Sequence, residues 1–85
     1  MFIYLMEADH LQNSKEKTLS QKVADRIIKY ILEENLQPGD KLPNETIMCQ
    51  RLNVGRSSLR EAMRALTSRN VITIRQGSGS YVSAT

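Results

Sequence analysis

From Leu19 onward the apolar residues return at helical intervals. Leu19, Val23, Ala24, Ile27, Ile28, Ile31 and Leu32 share one face of a helix read over residues 19–34. Thr18 followed by Gln21 has the spacing of a capping box at its start. Pro38 and Gly39 stop anything helical, and Asp40, Lys41, Leu42 and Pro43 read as a short extended piece. Asn44 is a good N-cap, and Glu45 stands in a first turn where the helix dipole favours negative charge. The helix it opens, residues 45–52, turns Ile47, Met48 and Leu52 toward a core. Asn53 can take the left-handed conformation that ends a helix, and Val54 and Gly55 make the turn. Leu59, Ala62, Met63 and Leu66 mark the buried face of a third helix, residues 56–69, with Asn70 as its stop. Residues 71–75 alternate as a strand, 76–80 form a glycine-serine tip, and 81–83 are again strand-like. The predicted fold is mainly α with a small β-hairpin, a winged helix-turn-helix of three helices plus wing.

Eighty-five residues hold one domain with one modest core. Residues 1–17, whose latter part is polar and aperiodic, read as a flexible N-terminal arm, and 18–85 as the winged-helix domain. The apolar run Met1 to Met6 is too short for a signal peptide and lacks a basic leader, so a cytoplasmic protein with no membrane attachment is expected. Either Met1 or Met6 can serve as the native start.

Charge divides the chain unevenly. Residues 1–43 carry six basic residues against seven acidic, whereas residues 44–85 carry Arg51, Arg56, Arg60, Arg64, Arg69 and Arg75 against only Glu45 and Glu61. An all-arginine cluster hints at nucleic acid, because the planar guanidinium fork pairs with phosphate or with a guanine edge. Cys49 is the single cysteine and His10 the single histidine. No disulfide, zinc site or Cys/His nucleophilic pair forms within one chain, and Cys49 reads as a small buried apolar residue. No catalytic residues, metal or cofactor are assigned, and the chain is not read as an enzyme.

Arg56, Arg60 and Arg64 are spaced four apart, in one stripe roughly opposite Leu59, Met63 and Leu66. Ser57 and Ser58 in the first turn bring hydroxyls beside free backbone N–H groups, an arrangement that meets phosphate. In the wing, Arg75, Gln76 and Ser78 supply donors, and Gly77 lets the backbone approach a sugar-phosphate edge. The predicted partner is double-stranded DNA. A protein-docking winged helix would need an apolar patch where these arginines lie. An RNA-binding module would need stacking aromatics, and none of Phe2, Tyr4, Tyr30 and Tyr81 falls in the cluster.

Three blocks, in order and properly spaced, carry a family resemblance: Leu36-Gln37-Pro38-Gly39-Asp40-Lys41-Leu42-Pro43-Asn44-Glu45, then Val54-Gly55-Arg56-Ser57-Ser58-Leu59-Arg60-Glu61-Ala62-Met63, then Gln76-Gly77-Ser78-Gly79-Ser80-Tyr81-Val82. Over about residues 19–83 the chain resembles the GntR family of bacterial transcription regulators. Leu59-Arg60-Glu61-Ala62 and Ile74-Arg75-Gln76-Gly77 lean toward its FadR-like branch. The resemblance implies operator contacts at Arg56, Ser57, Ser58 and Arg60, and a wing that enters the minor groove at Gly77. It implies an inverted-repeat operator, a homodimer, and a C-terminal domain, absent from this chain, that binds an effector metabolite. Thr46 stands where the family commonly has a DNA-touching arginine, so that contact is lost or replaced by a hydroxyl. Asn44 replaces the usual serine cap, Gly55 the usual cap serine or threonine of the recognition helix, and Asn70 a common glycine.

Overall fold

The computed structural model describes residues 17–84. Helix α1 spans Leu19–Glu33, α2 Glu45–Leu52 and α3 Arg56–Ser68, followed by strands β1, Ile72–Arg75, and β2, Gly79–Val82. This is the winged helix-turn-helix expected. The N-terminal arm lies outside the described residues except for its last member, Lys17, which is held to α1 by an ion pair with Asp25.

Each helix begins and ends for a local reason. At α1 the capping box forms: Gln21 donates its backbone N–H to Thr18 Oγ1 at 3.2 Å, and the Gln21 side chain accepts the Thr18 N–H at 2.9 Å. Asn44 caps α2 by accepting the Ile47 N–H at 2.9 Å. Gly55 caps α3 without a side-chain hydrogen bond. All three helices stop on an asparagine with positive φ, at Asn35, Asn53 and Asn70. In each case the next residue returns its N–H to a carbonyl in the last turn: Leu36 to Ile31, Val54 to Cys49 and Val71 to Leu66. The residues so returned, Leu36, Val54 and Val71, are apolar and pack against the core. That is the hydrogen-bonded C-terminal motif in which a left-handed residue lets the chain fold back over its helix.

The core is built from Val23, Ala24, Ile27 and Ile31 of α1, Leu42, Met48 of α2, Leu59, Ala62 and Leu66 of α3, and Ile72 of β1. Three residues read from periodicity as core are instead exposed: Leu19 at 57%, Leu32 at 74% and Ile47 at 38%. The buried arc of α1 is narrow, and Leu32 lies roughly a third of a turn from its centre at about 100° per residue. Leu19 sits in the first turn of α1, off the side of the same arc. The short α2 buries Met48 fully and leaves its neighbour Ile47 to solvent. Cys49 is partly buried and packs at the core's edge.

The hairpin is antiparallel, with Ile72 opposite Val82 and Arg75 opposite Gly79. Val71, expected in the first strand, is taken by the end of α3: its N–H goes to Leu66, while its carbonyl accepts the Ser83 N–H at 3.0 Å. Gly79 and Ser80, expected in the tip, belong to β2, so the tip shrinks to residues 76–78. The extended piece read at residues 40–43, together with Gly39 before it, finds its partner here. Leu42 donates to Ser80 at 2.9 Å, Val82 to Asp40 at 2.8 Å and Gly39 to Val82 at 2.9 Å. β2 is thus paired on both sides, which anchors the wing to the segment leading into α2.

Candidate nucleic-acid interface

α3 buries Leu59, Ala62 and Leu66 and turns Arg56, Arg60 and Arg64 outward. The opposition follows from the spacing: residues four apart stack along one side while the apolar set occupies the other. Ser57 is exposed and Ser58 half-buried in the first turn, where backbone N–H groups lack helical partners.

The arginines do not stand alone, as the stripe read in isolation suggests. Arg56 Nη1 donates to Glu45 Oε1 at 2.5 Å, Arg60 Nε to Glu45 Oε2 at 2.7 Å, and Arg60 Nη2 to Glu45 Oε1 at 3.1 Å. Arg56 Nη2 also donates to Thr46 Oγ1 at 3.2 Å. Thr46 is therefore drawn into the cluster through Arg56. Arg64 donates to Glu61 at 3.1 Å within α3. Both acidic residues of the second half of the chain are engaged by the stripe. Hydrogen bonds from Arg60 and then Arg56 hold the Glu45 carboxyl below its ordinary range, and the Glu45 carboxylate in turn raises the Arg60 guanidinium. Glu45 is the residue that sequence reasoning missed as part of the site. The available signal was compositional: Glu45 is one of only two acids among residues 44–85.

Arg51 belongs elsewhere. It donates to the Tyr30 hydroxyl at 3.1 Å and lies over the Tyr30 ring, 5.7 Å from its centroid, tying α2 to α1.

At the wing, Ser78 donates its backbone N–H to the Arg75 carbonyl at 3.0 Å across a turn in which Gly77 has φ +77°. That sign of φ favours glycine. Gln76, Gly77 and Ser78 are exposed at the tip, and the Arg75 guanidinium lies over Tyr81. Between α3 and the hairpin runs a groove of about 690 Å³, lined by Lys41, Arg60, Met63, Arg64, Ile74 and Ser78 among others. Arg60 and Arg64 of the helix stripe and Ser78 of the wing tip thus line one concave face. Among the described residues no group of His, Cys, Asp and Glu could hold a metal ion, and no helix is long and apolar enough to cross a membrane.

Residues 19–82 match the family described as bacterial regulatory proteins, gntR family. The chain belongs to the GntR family. Its fold agrees with a GntR of Streptococcus agalactiae at a TM-score of 0.74 and 48% identity, over 76% of this chain and 32% of that one. AraR(DBD) in complex with operator ORX1 superposes with a TM-score of 0.73 at 26% identity, over 82% of this chain and 84% of that one. The mannosyl-D-glycerate transport/metabolism system repressor MngR of Escherichia coli is 39% identical over 66 residues, which is 78% of this chain and 28% of MngR. The chain spans between a quarter and a third of the length of the curated relatives it matches. It is the GntR-family winged-helix DNA-binding domain of transcription regulators.

Proposed function

We propose that this domain reads a short inverted-repeat operator, each copy taking one half-site with α3 in the major groove and the hairpin tip in the adjacent minor groove. The observation that carries the reading is that Arg60 and Arg64 of α3 and Ser78 of the wing tip line one groove. A duplex met by both elements lays the backbone between its two grooves along that face. Arg56 and Arg60 are assigned to guanine edges, Ser57 and Ser58 to phosphate or a base edge, and Arg64 and Thr46 to flanking contacts. Arg75, Gln76, Gly77 and Ser78 serve the wing. The likeness to AraR(DBD) in complex with operator supports DNA as the partner. A protein-docking role would need an apolar outer face on α3, where Arg56, Arg60 and Arg64 stand.

The whole regulator in this reading is a cytoplasmic homodimer of the FadR-like branch. Its 18–85 head is followed by a C-terminal domain that binds a metabolite effector. Linking two heads raises their effective concentration on paired half-sites and multiplies a weak single-head affinity.

The test is selection from a random duplex library, followed by fluorescence anisotropy of wild type and Arg60→Ala at one fixed salt concentration. Enrichment of an inverted repeat is expected, with the variant losing about 1–3 kcal/mol and its preference at one base pair. Binding that enriches no motif and merely fades with salt makes the arginines a non-specific electrostatic face and overturns the reading.

A further inference from the structure

We propose that Glu45 is a specificity-determining positioning residue: by holding Arg56 and Arg60 on one carboxylate, it makes the pair read bases in preference to phosphates. The inference rests on the DNA-reading function proposed above and adds a residue and a mechanism to it.

Glu45 opens α2, yet its carboxylate crosses to α3 and uses both oxygens there. The grip on Arg60 is bidentate through Nε and Nη2, which fixes the plane of that guanidinium. Arg56 is fixed by two different acceptors, Glu45 and Thr46, both on α2. The side chains of Arg56 and Arg60 remain 56% and 64% exposed, so each keeps further N–H donors open to a ligand. Glu45 is only 32% exposed, screened by the pair it holds. The two forks are therefore oriented before any DNA arrives.

The hold has one entropic and one electrostatic consequence. A free arginine loses its rotamer freedom when it docks, and one already held loses less. The benefit falls on geometrically demanding contacts, such as the paired acceptors of a guanine edge. Meanwhile one negative charge beside two positive ones halves the net charge that a phosphate meets. Attraction to any backbone weakens, while hydrogen bonding to a neutral base edge is less affected. Both effects raise the ratio of specific to non-specific binding.

The experiment uses the full 85-residue chain as wild type, Glu45→Gln and Glu45→Asp. Anisotropy is recorded on the selected operator and on a scrambled duplex over a series of salt concentrations, with urea midpoints as the folding control. Glu45→Gln is expected to bind the scrambled duplex more tightly. Its logarithmic salt slope there should steepen by about one, and its specificity ratio should fall about ten-fold. Glu45→Asp restores the charge on a side chain one methylene shorter, and is expected to recover the salt slope but only part of the ratio. Full recovery of both would reduce Glu45 to a charge and overturn its positioning role. An unchanged ratio and slope in a folded Glu45→Gln overturns the whole proposal while leaving DNA reading intact. A loss confined to one C·G pair would make Glu45 a base reader itself, which also overturns it. If wild type enriches no operator, the underlying function fails and this role fails with it, a result visible before any variant is compared.

Discussion

Arg75 lays its guanidinium over the ring of Tyr81, 5.0 Å from the centroid, while the Tyr81 hydroxyl hydrogen-bonds Ser78 at the tip of the same hairpin. One tyrosine thus holds two wing residues assigned to DNA. Gly79, opposite Arg75, leaves room for Lys41, whose Cε passes 2.9 Å from where a Cβ would stand.

Removing the ring should loosen the wing while leaving the helices intact. Tyr81→Leu is expected to lose about 0.5–1 kcal/mol through the cation–π contact, with further loss from packing. Tyr81→Phe keeps the ring and gives up only the hydroxyl contact, so its urea midpoint should lie closer to wild type. Equal midpoints for the two variants would remove the ring from the account.

The left-handed turn between α2 and α3 makes a sharper prediction. Asn53 has φ +56° and its N–H reaches the Gln50 carbonyl at 3.3 Å, so the residue there must tolerate that conformation. Asn53→Ala is expected to cost about 1 kcal/mol by urea unfolding: both residues carry the Cβ that crowds the following carbonyl, but only asparagine's short polar side chain eases the left-handed conformation. Asn53→Gly should be neutral or slightly stabilising. Similar losses for both would show that the asparagine side chain, rather than the backbone, carries the turn.

The same turn shows what a one-dimensional reading can reach. Asn53 and Asn70 announce their helix ends because asparagine tolerates positive φ and an apolar residue follows. Asn35 with Leu36 carries the same signature, yet Pro38 and Gly39 offered a more conspicuous stop for α1. The burial of Val23, Ala24, Ile27 and Ile31 was legible from the helical period, but the width of the buried arc was not. That width depends on how α3 lies against α1, and it leaves Leu32 in solvent. The stripe of Arg56, Arg60 and Arg64 was likewise legible, being a property of one helix. Its counterion was not, since Glu45 reaches Arg60 only when the turn at residues 53–55 brings two helices together. The pairing of residues 39–42 with β2 is non-local in the same way.

Core burial and surface exposure can be separated by two leucines. Leu66 is fully buried and Leu32 is 74% exposed. Leu66→Ala should cost about 2–5 kcal/mol from lost transfer energy and the cavity left behind. That is a large share of the stability of a domain this small. Leu32→Ala should change the urea midpoint hardly at all. A comparable loss at Leu32 would return it to the core that periodicity alone suggested.

Acid should dissolve the Glu45 clamp, and the sign can be worked out. The folded carboxyl lies below its ordinary value of 4.5, because Arg60 and Arg56 favour the charged form. Its contribution to stability is therefore fully present above about 4.5 and is lost as pH falls through the lower folded value. Arg60, raised by the same contact, stays protonated throughout and adds no pH dependence in this range. The difference in urea midpoint between wild type and Glu45→Gln should then be constant from neutral pH down to the upper end of that window, and shrink below it. Both arginines are more than half exposed, so the difference should be small and should diminish with added salt. A gap that persisted unchanged in acid would mean that the substitution acts through packing or helix propensity at the start of α2, and not through the carboxylate's charge.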